Sequence, residues 1–268
     1  MQQPQVRTFH HADTGTFSYV VRDPDSRDAA IVDPVLDYDP AAARTGTGSA
    51  DEIASYVRDH DLDIAWILET HAHADHVTAA PYLKEMLGGT IAIGRGITQV
   101  QARFRDVLNL GEALPADGSQ FDHLFDDDET FRIGGLTGRV IPTPGHTSDS
   151  VSYLIGDAAF VGDSLFMPDA GTARCDFPGG DAHVLWQSTR RLFELPDDTR
   201  LFMCHDYGPG GREVRFETTV AEQKRDNVHV GGDRSEDEFV KLRTERDATL
   251  GMPRLILPAI QINIRAGA

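Results

Sequence analysis

The chain carries four potential metal ligands within six residues, in the stretch Thr70-His71-Ala72-His73-Ala74-Asp75-His76. This stretch directly follows the apolar run Ile64-Ala65-Trp66-Ile67-Leu68, which is typical of a buried strand. Residues i and i+2 of an extended backbone lie on one side, so His71 and His73 can face a common point. We expect Asp75 and His76 to open the next helix and to close on that point. Because imidazoles and carboxylates bind zinc and iron, the stretch predicts a metal site at the end of a strand.

Three further potential ligands follow other predicted strands. They are His146 after the strand and Pro/Gly loop at 140–145, Asp163 after the apolar run at 158–162, and His205 after the run at 201–204. Loops at strand ends commonly hold binding residues, because the sheet fixes their position. A lone histidine at such a place is often a core residue, but several in one chain indicate a shared site.

These residues, in this order, resemble the metal positions of the metallo-β-lactamase superfamily. The resemblance implies a mixed α/β fold, an αββα sandwich in a single domain over residues 1–268, with the site at one sheet edge. Asp163 stands where true β-lactamases commonly carry a cysteine ligand, and this points toward the glyoxalase II side of the superfamily.

Composition sets broad limits on partners and compartment. The chain has 268 residues and a formal net charge of −18, with 40% hydrophobic and 25% charged residues. This acidity argues against binding to nucleic acid or to anionic membrane surfaces. No apolar run reaches the roughly 18 residues that span a bilayer, and the first residues lack a secretory-signal pattern. We therefore expect a cytoplasmic protein whose two cysteines form no disulfide framework.

The pattern along the chain predicts helices at about 78–87 and 181–193 and a hairpin at 151–161. Residues from about 94 to 128 are less regular, and we interpret them as an excursion over the rim of the site. Residues from about 228 to 268 are expected to form a helix followed by an extended apolar tail at 252–264. That tail must pack on the body or on a partner subunit to hide its side chains, so we expect a homodimer.

The segment after Asp163 carries a second resemblance. Its residues Arg174, Asp176 and Phe177 match the Gly-(Asp/Cys)-x-Arg-x-Asp-Phe signature of persulfide dioxygenases. The ending at 258–267 also resembles that of the dioxygenases, and the run Met203-Cys-His-Asp-Tyr207 is similar to bacterial β-lactamase-like proteins linked to sulfide detoxification. The part of the chain after residue 227 is also shorter than the glutathione-binding helical module of glyoxalase II.

The dioxygenase resemblance implies one Fe(II) per chain on a facial triad of His71, His146 and Asp163. Two imidazoles and one carboxylate leave positions open for O2 and a sulfur ligand. The implied reaction oxidises glutathione persulfide, or a related small persulfide, with O2 to sulfite and thiol. The other four ligand-type residues, His73, Asp75, His76 and His205, would orient the triad by hydrogen bonds.

The alternative is a glyoxalase II-type hydrolase of glutathione thioesters, in which those four residues and a bridging Asp163 hold a second metal, as two Zn or Fe/Zn. A third hypothesis is a non-enzymatic partner in sulfide signalling. Asp75, His76 and Tyr207 are the further catalytic candidates, and Tyr207 is also a candidate substrate contact. Arg174 is expected either to bind a substrate carboxylate or to pair with Asp176 or Asp169. Cys175 and Cys204 are interpreted as small buried residues, with oxidation near the site as the alternative.

Overall fold

Residues 3–268 are described by the computed structural model, which arranges their strands and helices in four layers. The strands are β1 (Gln5–His11), β2 (Thr16–Arg22), β3 (Asp28–Val32), β4 (Val35–Asp39), β5 (Arg44–Gly46), β6 (Asp63–Leu68), β7 (Val77–Thr78), β8 (Thr90–Gly94), β9 (His123–Phe125), β10 (Thr130–Ile133), β11 (Leu136–Pro142), β12 (Val151–Ile155), β13 (Ala158–Phe160), β14 (Arg200–Phe202) and β15 (Glu217–Thr219). The helices are α1 (Gly48–Asp59), α2 (Ala80–Leu87), α3 (Ile97–Val107), α4 (Ala182–Phe193), α5 (Val220–Asp226), α6 (Glu236–Asp247) and α7 (Ile256–Asn263).

Two large sheets form the centre of the described chain. The first has the order β1-β2-β3-β6-β8-β9 and the second the order β10-β11-β12-β13-β14-β15. Strands β3, β6, β8 and β9 run parallel, and so do β13 and β14. Because parallel neighbours end at the same edge of a sheet, the loops after β6, β13 and β14 bring the predicted ligands to such edges.

Side-chain alternation explains the four layers. In β2, Tyr19 and Val21 belong to the apolar cluster between the two sheets, whereas Val20 belongs to the cluster beneath α1, α2 and α3. In β13, Phe160 joins the cluster between the sheets and Ala159 packs with residues of α4, α5 and α6. Each sheet thus buries one face on the other sheet and one face on helices. The predicted αββα sandwich is confirmed.

Segment 94–128 differs from the expectation. Helix α3 places Ile97, Val100 and Phe104 in the cluster on the helix-covered face of the first sheet, and β9 extends that sheet. The interpretation of this segment as an irregular rim is therefore wrong. These three residues follow the i, i+3, i+7 spacing of an amphipathic helix, although neighbouring glycines and prolines obscure the pattern.

The C-terminal tail also differs from the expectation. Helix α6 forms as predicted, but Ile256–Asn263 is helix α7 rather than an extended segment. Pro258 lies in the first turn of α7, where its missing N–H leaves no helical bond unmade. Because Leu255 and Ala259 pack on Val77 of the same chain, the apolar tail no longer requires a partner, and the homodimer stays a prediction.

Within residues 3–268, no helix combines the length and the apolar character that a membrane crossing requires.

Candidate metal centre

The ligand stretch leaves β6 as a loop. The expectation that Asp75 and His76 open a helix is wrong, since β7 follows at Val77 and α2 begins only at Ala80. The physical reason is that β7 pairs with β4, which keeps this part of the chain extended. A loop rather than a helix therefore presents the ligands.

Two buried aspartates hold the start of this loop. The backbone N–H and the hydroxyl of Thr70 donate to Asp33 at 2.7 and 2.9 Å, and the N–H of Ala72 donates to Asp149 at 2.8 Å. Asp33 comes from the loop after β3 and Asp149 from the loop before β12, so both sheets fix the stretch. Neither aspartate is identified in the sequence analysis, although Asp33 directly follows a buried strand as Asp163 does.

The first group of ligands consists of His71, His146 and Asp163, whose ligand atoms all lie within 4.8 Å of one another. The Thr70 hydroxyl donates to Asp33 and so accepts from His71 Nδ1 at 3.0 Å, which leaves His71 Nε2 as the free acceptor. His146 Nδ1 donates to the Arg174 carbonyl at 2.7 Å, and its Nε2 faces Asp163 at 3.6 Å. The structure therefore brings the predicted triad together with both rings in the tautomer that binds a metal through Nε2.

The second group lies beside the first. His73, Asp75 and His76 form one compact set, and His205 joins Asp163 in another. His205 Nε2 lies 3.2 Å from an Asp75 oxygen and 3.5 Å from an Asp163 oxygen. All seven predicted ligands thus meet at one place, with Asp163 between the two groups.

Unpaired atoms give a test of whether these residues fit a metal. Among residues 3–268, five buried ligand atoms have no hydrogen-bond partner: His71 Nε2, His73 Nδ1, His76 Nε2, His205 Nε2 and Asp163 Oδ1. Each such atom costs about 1–3 kcal/mol when it is buried without a partner. All five are imidazole nitrogens or a carboxylate oxygen, which are the ligand atoms that zinc and iron bind, and they converge. The residues therefore fit metal binding.

The electrostatics agree with that fit for two of the three histidines of the loop, His71 and His76, and metal binding at His73 must displace a proton. Burial lowers the pKa of His71 well below its usual range and lowers the pKa of His76 to about 4, so both rings are neutral at pH 7. Burial alone would also lower the pKa of His73, but Asp33 and Glu69 raise it well above the usual value. His73 Nε2 lies 2.9 Å from Asp33 and 3.5 Å from Glu69, which directs its Nδ1 toward the other ligands. These two carboxylates orient the ring in the way that partners of metal-bound histidines do.

A cavity of about 590 Å³ opens on the metal groups. Asp75, His146 and Asp163 line its inner end, and Phe166, Phe177 and Val228 supply apolar walls. Tyr207 lines the cavity and stacks on the His205 ring with a centroid distance of 5.8 Å, so it is placed where a substrate would pass. The cavity can therefore hold a small molecule with one end at the ligands.

Three arginines also line the cavity, and we call them the arginine wall: Arg174, Arg243 and Arg246. Both oxygens of Asp176 accept from Arg174 at 2.6 Å, and Arg174 also donates to the Gly251 carbonyl at 2.7 Å. Arg243 is buried and pairs with Asp247 in the same helix. The role of Arg174 as a carboxylate-binding residue stays a prediction, because its guanidinium already holds a carboxylate of the chain.

Arg246 differs from the other two arginines of the wall in its exposure and its pairing. It is exposed at the cavity, and among the described residues it forms no ion pair. The residues around Arg246 on α6 form no motif, so the sequence does not predict its place at the cavity.

Both cysteines lie close to this site. Cys175 and Cys204 are free and buried, and burial raises the pKa of each thiol. Their thiols are therefore protonated at neutral pH, which agrees with their interpretation as small buried residues.

A comparison with protein families identifies the chain at the family level. The profile of the metallo-beta-lactamase superfamily matches residues 12–205, a range that contains all seven ligands. The chain belongs to the metallo-β-lactamase superfamily.

Several members of the superfamily from other organisms are similar over nearly the whole chain. A probable metallo-hydrolase of Burkholderia pseudomallei is 51% identical over 98% of this chain and 92% of its own length. Glyoxylase B2 of Dictyostelium discoideum is 49% identical over 98% of this chain and 91% of its own length. A beta-lactamase hydrolase-like protein of Xylella fastidiosa is 51% identical over 100% of this chain, but the chain spans only 62% of that protein.

A second set of superfamily relatives carries a different activity in its name. The mitochondrial persulfide dioxygenase ETHE1 of Homo sapiens is 29% identical over 94% of this chain and 84% of its own length. The crystal structure of ETHE1 from Myxococcus xanthus has a TM-score of 0.78 and 32% identity, and the match covers 98% of this chain and 100% of that one. The fold and the metal-binding character of this superfamily member are thus established, and the choice between hydrolysis and oxygenation is a separate question.

Proposed function

We propose that the chain is a metal-dependent hydrolase that cleaves thioesters of a small acidic thiol, of which a glutathione thioester is the type. The observation that carries this proposal is the pair of unpaired ring nitrogens, His73 Nδ1 and His76 Nε2, beside the first group. If these residues only oriented a single metal by hydrogen bonds, their free nitrogens would have partners. These residues and Asp163 could hold a second metal, which would give each nitrogen a partner. The names of the relatives at 49–51% identity, metallo-hydrolase and Glyoxylase B2, support the same class of reaction.

The chain's own residues fit the requirements of this reaction. Two metals held by these residues would supply a water of lowered pKa and would polarise the thioester carbonyl. Asp163 lies between the two groups, and Asp75 lines the cavity as a second carboxylate beside it. Tyr207 at the cavity can donate from its hydroxyl to the substrate. The apolar residues Phe166 and Phe177 exclude water from the acyl group.

Substrate charge follows from the arginine wall. The chain as a whole carries −18, so an anionic substrate requires a local cation. Arg174 and Arg243 are neutralised by carboxylates of the chain, whereas Arg246 stands at the cavity with its charge available. We therefore assign Arg246 to the carboxylate of the substrate, at the end away from the metals.

A second candidate is the persulfide dioxygenase reaction, RSS⁻ + O2 + H2O → RSH + SO3²⁻ + H⁺. The observation that favours it is the loop with Arg174, Asp176 and Phe177. The Arg174 guanidinium lies 4.9 Å from the centre of the Phe177 ring, and that ring meets His146 edge-on at 5.3 Å. The match to ETHE1 from Myxococcus xanthus over nearly all of both chains supports it as well.

One experiment separates the two reactions. The purified chain is analysed for metals and then assayed for cleavage of S-lactoylglutathione and for O2 uptake with glutathione persulfide. We expect two metal ions per chain and thioester cleavage without O2 uptake. One iron per chain, O2 uptake and no thioester cleavage would replace the hydrolase with the second candidate.

A further inference from the structure

The C-terminal helix reaches back to the metal-ligand loop through one side chain. Asn263, the last residue of α7, donates from Nδ2 to the carbonyl of His73 at 2.8 Å and to the carbonyl of His76 at 2.7 Å. Its Oδ1 accepts from the N–H of Thr78 at 3.0 Å. One amide thus contacts the backbone of two predicted ligands and of the strand that follows them.

The chemistry of asparagine suits this position closely. A primary amide offers two N–H donors on nitrogen and an acceptor oxygen, and Asn263 uses all three while it is almost completely buried. An aspartate of the same shape would present oxygens to two carbonyls. An alanine would leave buried backbone groups without partners, at a cost of about 1–3 kcal/mol each.

Asn263 secures backbone groups of the ligand loop that the two aspartates do not contact. Asp33 and Asp149 hold Thr70 and Ala72 at its start. The carbonyls of His73 and His76 instead bond to Asn263, some 190 residues later in the chain.

The end of α7 is itself fixed in place. Gln101 of α3 donates to the carbonyl of Ile264 at 2.8 Å, and Leu255 and Ala259 pack on Val77. The position of α7 is therefore linked to the position of the backbone carbonyls of His73 and His76.

We propose that Asn263 is a positioning residue for the metal centre, and that docking of the C-terminal helix and metal binding stabilise each other. The hydrogen bonds fix the backbone of His73 and His76, and so fix where their unpaired ring nitrogens converge. By thermodynamic linkage, a metal that needs the docked loop favours the docked helix by the same free energy. This proposal holds for hydrolysis and for oxygenation alike, because it concerns only the ligand loop.

The test uses Co(II), whose visible absorption reports the geometry of its ligands. Asn263→Asp is compared with Gln261→Glu, which makes the same amide-to-carboxylate change on the same helix, at a side chain that donates to Leu257 O within α7. We expect Asn263→Asp to weaken Co(II) binding by about 10–100-fold and to change the spectrum, the range found when partners of metal ligands are removed. Gln261→Glu should leave affinity and spectrum unchanged.

The outcomes distinguish positioning from mere stability. An Asn263→Asp protein with a lower melting temperature but with the Co(II) affinity and spectrum of the parent would overturn the proposal. If that variant does not fold, amide hydrogen exchange of the parent chain decides instead. Added Co(II) should slow exchange in residues 256–263, and equal exchange with and without metal would refute the linkage.

Discussion

The inner end of the cavity and its arginine wall are built in different ways. At the inner end, every ligand is held by loops at the edges of two rigid sheets, and all the ligand residues except Asp75 are buried. The arginine wall comes from the loop around Arg174 and from helix α6, and two of its three charges are already paired within the chain. The sheets therefore fix the chemistry, while segments outside them choose the substrate.

This difference means that the two ends should respond differently to substitution. A change at the inner end removes metal and with it the reaction. A change at the arginine wall should alter substrate binding with the metal retained. Residues of the cavity wall that bind neither metal nor substrate should affect stability and should leave metal binding and substrate binding unchanged.

The largest effect is expected at the inner end, for His146→Ala. His146 supplies one of the ligands in the first group, and its Nδ1 also anchors the carbonyl of Arg174. We expect the variant to lose metal from the first group and to lose turnover with either substrate. Metal analysis together with steady-state assays of the purified variant measures both.

His183→Ala is the matched control for that experiment. His183 is an exposed histidine on α4 that pairs with Glu236, outside the cavity. It should keep its metal and its activity. Full metal content and activity in His146→Ala would remove it from the ligand set.

The same contrast explains what the sequence could predict. The seven ligands were found because each follows an apolar run, a pattern visible within a few residues of each ligand. Asp33 and Asn263 were missed because their function lies in contacts made with a loop far away in the sequence. Nothing local to Arg246 shows that α6 packs beside the cavity.

Fold prediction shows the same dependence on local pattern. The hairpin at 151–161 and the helix that begins after Asp181 are confirmed, because the tight turn at Gly156-Asp157 and a helix cap mark them locally. The tail at 252–264 was predicted wrongly as extended. Its two prolines and many β-branched residues favour extended chain, but packing of one face on Val77 favours the helix.

An effect of intermediate size is expected at His229, a buried residue of the cavity wall. Burial, and then the charge of Arg243, lowers the pKa of His229 from 6.5 to about 4. The unfolded chain takes up this proton near pH 6.5, but the folded chain does so only near pH 4. The stability that depends on His229 is therefore complete above pH 6.5 and is lost as the pH falls toward 4.

Urea unfolding of the metal-free chain measures this contribution. Between pH 7 and pH 5 it should amount to about 2 kcal/mol. In His229→Asn, whose Oδ1 can still accept from the Thr172 N–H, the fall in unfolding free energy over that range should shrink by about this amount. His60→Asn, at the exposed end of α1, should keep the parent's pH dependence. An unchanged pH dependence in His229→Asn would show that other groups carry it.

The smallest effect is expected at the arginine wall, and it tests whether Arg246 rather than Arg174 meets the substrate. If Arg246 contacts a carboxylate that does not change during the reaction, Arg246→Ala should raise KM by roughly tenfold and leave kcat unaltered. The penalty should vanish with an N-acetylcysteamine thioester, which has no carboxylate. Lys241→Ala, on the same helix but outside the cavity lining, should match the parent with both substrates.

Arg174→Ala completes this comparison, because its charge is already held by Asp176. It should lower stability, through the lost contact to the Gly251 carbonyl, more than it changes the preference for the acidic substrate. If Arg174→Ala instead shows the KM penalty for the glutathione thioester and Arg246→Ala does not, the substrate displaces Asp176. The arginine wall would then bind its ligand by exchanging one carboxylate for another rather than by offering a vacant charge.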